Sequence, residues 1–572
     1  MSKRIVVDPI TRIEGHLRIE VMVDDNNVVT DAFSSSTLWR GLETIVKGRD
    51  PRDAGFLMQR ICGVCTFSHY KAGIMAVENA LGITPPLNAV LTRTLMNNAL
   101  FFHDHIVHFY QLHALDFVDI VSALSADPFK AQDEAFKYTD FPYACGADQL
   151  KAVQAKVKTF VDKGNLGPFA NAYYGHKTYH LTPEQNLIAL SHYLECLRVQ
   201  RTAAQMMAIF GAKQPHPQSL TVGGVTCVMD ILSPARLGEY MTKFNEVKDF
   251  VDRAYYPDLV MAGKAYANEP SVLNDVGVAN LFTEKEFQIS KDGWLFESGI
   301  IINGDLSKVE ELDESKITEE ATHSWYKNDK PLHPYDGEQE PNYTGFKDEK
   351  TINAKGEMVD TKVLDTTGKY SWIKAPRYDS KPMQVGPLAN IVVNYAKGNK
   401  YVVPVVDKFL ADTGLPLTAV LSTLGRTACR MIEAKVIADN GLIALNNLIA
   451  NIKAGDTETC AKYTIDPNKE YKGRYIGHVP RGTLSHWCRI EKGVIKNWQA
   501  VVPSTWNASP KDSSGAMGSY EACLIGLKIA DLTQPLEIIR KIHSYDPCIA
   551  CAVHVMDTKG NEISEYKVNP NL

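Results

Sequence analysis

The stretch NLIALSHYLECLRVQRTAAQMMAIFGA, residues 186–212, returns an apolar side chain every three or four positions, the spacing that stripes one face of an α-helix. HYKAGIMAVENALGI, residues 69–83, repeats that pattern earlier in the chain. Similar segments fill residues 65–265 and break at Pro and Gly, which end helices. A helical bundle is therefore expected to dominate the middle of the chain. Upstream, IVVDPITRIEGHLRIEVMVDDNNVVTDAFSS alternates β-branched and polar residues around a polar turn at residues 24–27, which predicts a small antiparallel sheet. Downstream, residues 304–370 are rich in charged residues, Asn and Gly, lack sustained periodicity and read as a surface excursion. Helical spacing resumes at about 405–454, followed by a short strand and turn region and a last helix near 520–543. There is no internal repeat. The expected fold is α+β and predominantly α-helical, with a central bundle, a small N-terminal antiparallel sheet and peripheral strand and loop excursions.

A chain of 572 residues exceeds what one simple core usually organises, so several lobes or one large composite domain are expected. A formal net charge of -6 gives no electrostatic footprint for nucleic acid or anionic membranes. No run of roughly 18 apolar residues appears, and MSKRIVVDPITRIEGH lacks the apolar core of a secretory signal, so the chain is expected neither to span a membrane nor to export itself.

Eleven cysteines are too sparse for a disulfide scaffold in so long a chain. Seven of them (Cys145, Cys196, Cys227, Cys429, Cys460, Cys488 and Cys523) are scattered singly and read as small buried hydrophobes. The other four form two Cys-x-x-Cys pairs, Cys62/Cys65 and Cys548/Cys551, near opposite ends. Two intervening residues let both thiolates of a pair face one ion, and a following helix N-terminus stabilises their charge. Four thiolates select zinc, nickel, copper(I) or iron. Structural zinc sites usually gather their cysteines within a few tens of residues, whereas here Cys62 and Cys548 are 486 apart in sequence. Structural zinc, a thioredoxin-like dithiol and a catalytic metal centre all remain open, and the separation favours the last.

The motifs around these cysteines resemble the large, catalytic subunit of nickel-iron hydrogenase, of the membrane-bound respiratory uptake type. The resemblance covers nearly the whole chain and rests on RIEGH at 12–16, RGLE at 40–43, RICGVCTFSH at 60–69, HDH at 103–105, PRG at 480–482, PSTWNASP at 503–510 and DPCIACAVH at 546–554. Each piece alone is weak; their order and joint presence are specific. The resemblance implies one composite domain over residues 1–554, comprising an N-terminal sheet at 1–60, a helical core at 61–290, the polar excursion at 304–370 and a metal-site part at 371–554.

By similarity, all four thiolates bind nickel, with Cys62 and Cys548 terminal and Cys65 and Cys551 bridging to an iron that carries CO and CN ligands. H2 is a very weak acid, so its cleavage needs an electrophilic metal and a nearby base. Cys548 is the candidate base, and Glu14 of RIEGH matches the carboxylate that relays the proton; alone it would read as a strand residue or ion-pair partner. Arg481 matches a guanidinium over the open metal position, suited as a permanent cation to polarising and orienting H2, with Asp104 and Asp546 around it. Singly, these would read as a loop cation and a helix cap ahead of Pro547. Glu43 and His554 match ligands of a separate Mg2+, although imidazole is an unusual partner for so hard a cation. His69 matches a donor to a bridging sulfur, and Ser504 a hydroxyl bonded to a cyanide. His105 and His108, three apart on one predicted helix, have metal-binding spacing but read as core histidines.

The unpatterned cysteines cannot ligate iron-sulfur clusters, so an iron-sulfur small subunit is implied as partner and electron exit, with a cytochrome b membrane subunit beyond it. The resemblance also implies that a maturation endopeptidase removes residues 555–572 after His554. It places the enzyme on the periplasmic face of the membrane, carried by the small subunit's twin-arginine signal, with the cytoplasm as the other placement. Competing readings are an H2-sensing regulator, a structural four-cysteine zinc protein and the quinone-site subunit of respiratory complex I, which lacks these cysteine pairs. Cysteine at 548 excludes the selenium-containing variant.

Overall fold

The structure is a computed structural model and describes residues 3–170, 172–273 and 275–549. Lys3–Val7, Leu17–Val23 and Val29–Ser36 pair antiparallel in sequence order, as their alternation predicts. The polar turn between the last two strands is an Asx turn, in which Asp24 Oδ1 accepts the N–H groups of Asn26 (2.9 Å) and Val28 (2.8 Å). The buried face of this sheet, Leu17, Ile19, Val21 and Val23, shares one core with Tyr520, Leu524, Ile538 and Ile542 from the far end of the chain. The two chain ends are thus joined by apolar burial, and this brings their motifs together.

The predicted bundle is present. Its helices Thr66–Leu81, Leu87–Val107, Pro183–Gly211, Pro234–Phe250 and Thr423–Asn440 contribute to the main hydrophobic core. Pro183–Gly211 starts where its sequence dictates: Thr182 and Gln185 form a reciprocal capping box, and Pro183 fills the first helical position, where no N–H is needed. Thr423–Asn440 departs from an ordinary core helix because it buries Arg426, Arg430 and Glu433 as well as apolar residues.

The region after residue 454 holds more sheet than a short strand and turn. Tyr471–Val479, Gly482–Glu491 and Val494–Val501 form an antiparallel meander. Its middle strand is buried on both faces, which erases the period-two pattern that would have announced it. The meander lies directly on Thr66–Leu81: a Cβ on Gly473 would sit 2.3 Å from the backbone nitrogen of Ala80, so only glycine permits the approach. The single helix expected near 520–543 is two, Ser519–Leu524 and Leu536–His543, with Pro535 immediately before the second. Within residues 304–370 an exposed hairpin, Lys347–Ile352 with Met358–Val363, accompanies the buried aromatic rings of Trp325, Tyr326 and Tyr370. Among the described residues, no helix is long and apolar enough to cross a membrane.

Candidate metal centre

Cys62, Cys65 and Cys548 converge from opposite ends of the chain. Their sulfurs lie within 4.8 Å of one another, with Cys62 and Cys548 3.4 Å apart. All three residues are buried. Cys551 and His554, expected beside them, lie outside the described residues, as does the 555–572 tail.

Each sulfur is placed by local structure. Cys62 Sγ accepts the N–H groups of Val64 (3.3 Å) and Cys65 (3.0 Å), closing the turn that launches Thr66–Leu81 with Cys65 as its N-cap. The positive end of that helix favours thiolate over thiol. Cys548 is held by main chain: Glu14 N–H donates to Pro547 O (3.2 Å), and Ile549 N–H donates to Glu14 O (2.8 Å). Cys548 N–H itself donates to Ser504 Oγ at 3.1 Å, so Ser504, buried in the short helix Pro503–Asn507, sits against this cysteine. This pairing turns the Glu14 carboxylate toward the site, where Cys548 Sγ donates to Glu14 Oε2 at 3.2 Å.

Arg481 enters from the two-residue turn between Tyr471–Val479 and Gly482–Glu491. Gly482 has φ +129°, and a Cβ there would lie 2.5 Å from the backbone nitrogen of Gly386, ahead of the helix Pro387–Ala396. Glycine at 482 is thus what seats the turn, and Arg481, that deeply. Arg481 Nη1 donates to Asp104 Oδ2 at 2.8 Å, and Nη2 lies 3.1 Å from Asp546 Oδ1. Asp104 projects from the end of Leu87–Val107, just before the chain widens into the π-turn His108–His113, a feature common at functional sites. Asp546 adopts a left-handed φ of 57°, a conformation uncommon outside glycine, and its buried carboxylate is paired with Arg481. Burial raises the Asp546 carboxyl pKa against the nearby Arg481 and Arg430 cations, while those carboxylates and the sulfurs of Cys548 and Cys65 hold Arg481 firmly charged.

Glu43 is placed apart from this cluster, where its Oε1 accepts the Ala500 N–H at 2.6 Å. Burial pushes its carboxyl up to about 7, despite the pull of Lys374, and Glu319 nearby is also raised by burial. Two carboxyls, Glu319 buried and Glu43 half-buried, facing one ammonium form an electrostatic setting that a divalent cation fits. His69, on the first turn of Thr66–Leu81, places Nδ1 3.0 Å from His486 Nε2, and burial lowers its pKa to about 4. His105 and His108 do not share a ligand: Nε2 of the first meets Glu433 at 2.9 Å, and Nε2 of the second meets the His543 carbonyl at 2.7 Å.

Sequence reading missed several buried polar groups. Glu433 also bonds His478 Nε2 (2.7 Å) and Asn390 Nδ2 (2.7 Å). Asp116 takes His113 (3.0 Å), His543 (2.6 Å) and Arg12 (2.5 Å), so that this second His/Asp cluster is already saturated by its own hydrogen bonds and ion pair. None of these carries a local motif. The sulfur set, by contrast, suits a soft metal in donor type, burial and spacing.

Comparison with known proteins agrees with this chemistry. The family model described as nickel-dependent hydrogenase matches residues 40–554, and one described as HoxL-like matches residues 4–35. The quinone-reactive Ni/Fe-hydrogenase large chain of Wolinella succinogenes is 66% identical, with 100% of this chain and 99% of that one covered. The uptake hydrogenase large subunit of Rhizobium leguminosarum bv. viciae is 45% identical, over 99% of this chain and 98% of that one. Among solved structures, the reduced Ni-Fe-Se hydrogenase from D. vulgaris Hildenborough aligns with a TM-score of 0.76 at 31% identity, covering 97% of this chain and 100% of that one.

Proposed function

Since the chain belongs to the nickel-dependent hydrogenase family, we propose that Cys62, Cys65, Cys548 and Cys551 hold a nickel-iron centre at which H2 is split into protons and electrons. When bound, that centre supplies the Lewis acidity and electron-accepting capacity that no side chain has. The contact that carries the reading is Cys548 Sγ against Glu14 Oε2 at 3.2 Å, a thiol and a carboxylate placed to pass one proton. The proton is taken up at Cys548 Sγ, moves to Glu14 Oε2 and leaves the buried site from that carboxylate. Arg481, charged and held by Asp104 and Asp546, orients and polarises H2 above the sulfurs. All four cysteines would hold the centre, Cys62 and Cys548 in the terminal role and Cys65 and Cys551 in the bridging one. Ser504, whose Oγ already accepts the Cys548 N–H, would offer its hydroxyl proton to a cyanide ligand if the iron carries CO and CN ligands. His69 would donate to a bridging sulfur, while Glu43 and His554 would hold Mg2+.

As a hydrogenase large subunit, the chain works with a small subunit. Among the described residues the only clustered sulfurs are Cys62, Cys65 and Cys548, which supports iron-sulfur clusters on the partner as the electron route. From there electrons pass to a cytochrome b and quinone on the periplasmic face of the membrane, in keeping with the quinone-reactive name of the Wolinella relative. The family match stops at residue 554, which supports removal of residues 555–572 by an endopeptidase. Glu14→Gln tests the central contact in the purified heterodimer: the amide keeps the shape and cannot relay a proton. H2-dependent dye reduction should fall by roughly 10²–10⁴-fold with nickel content unchanged; wild-type turnover in a nickel-loaded E14Q enzyme would refute the relay.

A further inference from the structure

His69 does not stand alone. Its Nδ1 lies 3.0 Å from His486 Nε2, and the other nitrogen of His486, Nδ1, receives the Trp498 indole N–H at 3.3 Å. All three side chains are buried, and His486 and Trp498 sit on the paired strands Gly482–Glu491 and Val494–Val501, the first of which packs on Thr66–Leu81.

Donor and acceptor accounting fixes every proton in this chain. An indole N–H only donates, so His486 Nδ1 must accept and carries no hydrogen. The His486 proton is then on Nε2, which donates to His69 Nδ1. His69 Nδ1 accepts in turn, which leaves its one ring proton on Nε2. His69 lies on the first turn of the helix that Cys65 caps. We infer that Trp498, acting through His486, locks His69 in the Nε2–H tautomer, so that its remaining N–H is the one available to the bridging sulfur named above. Trp498 and His486 are positioning residues, remote in sequence from every cysteine ligand, and this role rests on the metal-centre reading above.

The device has a chemical use. A neutral imidazole in the other tautomer would present a lone pair to a thiolate, a repulsive contact in place of a charge-assisted hydrogen bond. Donation to a ligating sulfur also lowers its electron donation to the metal, as outer hydrogen bonds do elsewhere.

The test is 15N-histidine NMR on the purified heterodimer, with nickel measured on each sample and signals assigned by His69→Gln and His486→Gln. The wild type should show His69 and His486 with protonated Nε2 and bare Nδ1. Trp498→Phe, which keeps the ring and removes the donor, should bring a protonated Nδ1 on His486 and disturb His69. His486→Gln should preserve the His69 signature, because the Gln carbonyl accepts from Trp498 and its amide donates to His69. A protonated Nδ1 on either ring in the wild type, or unchanged tautomers in W498F, would overturn the relay. Wild-type heterodimer without nickel would instead contradict the metal-centre reading and leave the tautomers to be judged by the same spectra.

Discussion

At Cys548 a few hydrogen bonds do work that no single residue type could. The thiol meets Glu14 Oε2 at 3.2 Å only because Glu14 and Cys548 share a parallel bridge of main-chain bonds, so the proton acceptor is set by backbone rather than by a flexible side chain. Glu43 poses the opposite problem, a carboxyl that burial raises from 4.5 to about 7. Without a cation, its contribution to stability is intact below about pH 4.5 and is lost as pH climbs through about 7. The charged form then costs about 3 kcal/mol, by the size of the shift. Metal-stripped wild type should therefore lose thermal stability between pH 5 and 7.5 relative to Glu43→Gln, and Mg2+ should restore the wild type at pH 7.5 far more than at pH 5. Scanning calorimetry with EDTA or Mg2+ checks this, and an Mg2+ effect that is equal at both pH values would refute it.

Among the elements, the meander Tyr471–Val479, Gly482–Glu491 and Val494–Val501 governs the site most, since it presents Arg481, His486 and Trp498 and, next to Ala500, anchors Glu43. Gly482→Ala would force its turn away from Gly386, where a Cβ would come within 2.5 Å of backbone. The expected cost is about 2 kcal/mol of stability. Because Arg481 leads that turn, H2 oxidation should fall by about 10²-fold in enzyme that still folds and carries nickel. Denaturant melts and dye-reduction rates read the two effects separately. This element was also poorly legible in sequence. Double-sided burial removed its alternation, and the reading anticipated only a short strand region there. The helix Pro183–Gly211 and the N-terminal sheet were plain, since one keeps a clean apolar stripe and the other a clean alternation. The cysteine pairs were legible because their spacing is local. Arg481, Asp104 and Asp546 needed the resemblance to be noticed, and His486, Trp498 and Glu433 had no signal, because their partners stand far off in sequence: His486 lies 417 residues from His69, and Glu433 lies 328 from His105.

Across the whole molecule, the N-terminal sheet and the C-terminal helices share one apolar core, and folding is thus what assembles the site. Cys62 and Cys548 are 486 residues apart in sequence, yet their sulfurs lie 3.4 Å apart in the fold. A centre made this way exists only in the folded chain, so metal binding should be coupled to global stability rather than to a local staple. The central claim is that both cysteine pairs bind one nickel. Nickel K-edge X-ray absorption on the purified heterodimer tests it directly: the account predicts a first shell dominated by sulfur with iron as a near neighbour, and one fewer sulfur in Cys548→Ser. A shell of nitrogen and oxygen, or zinc in place of nickel with no H2-dependent dye reduction, would contradict it.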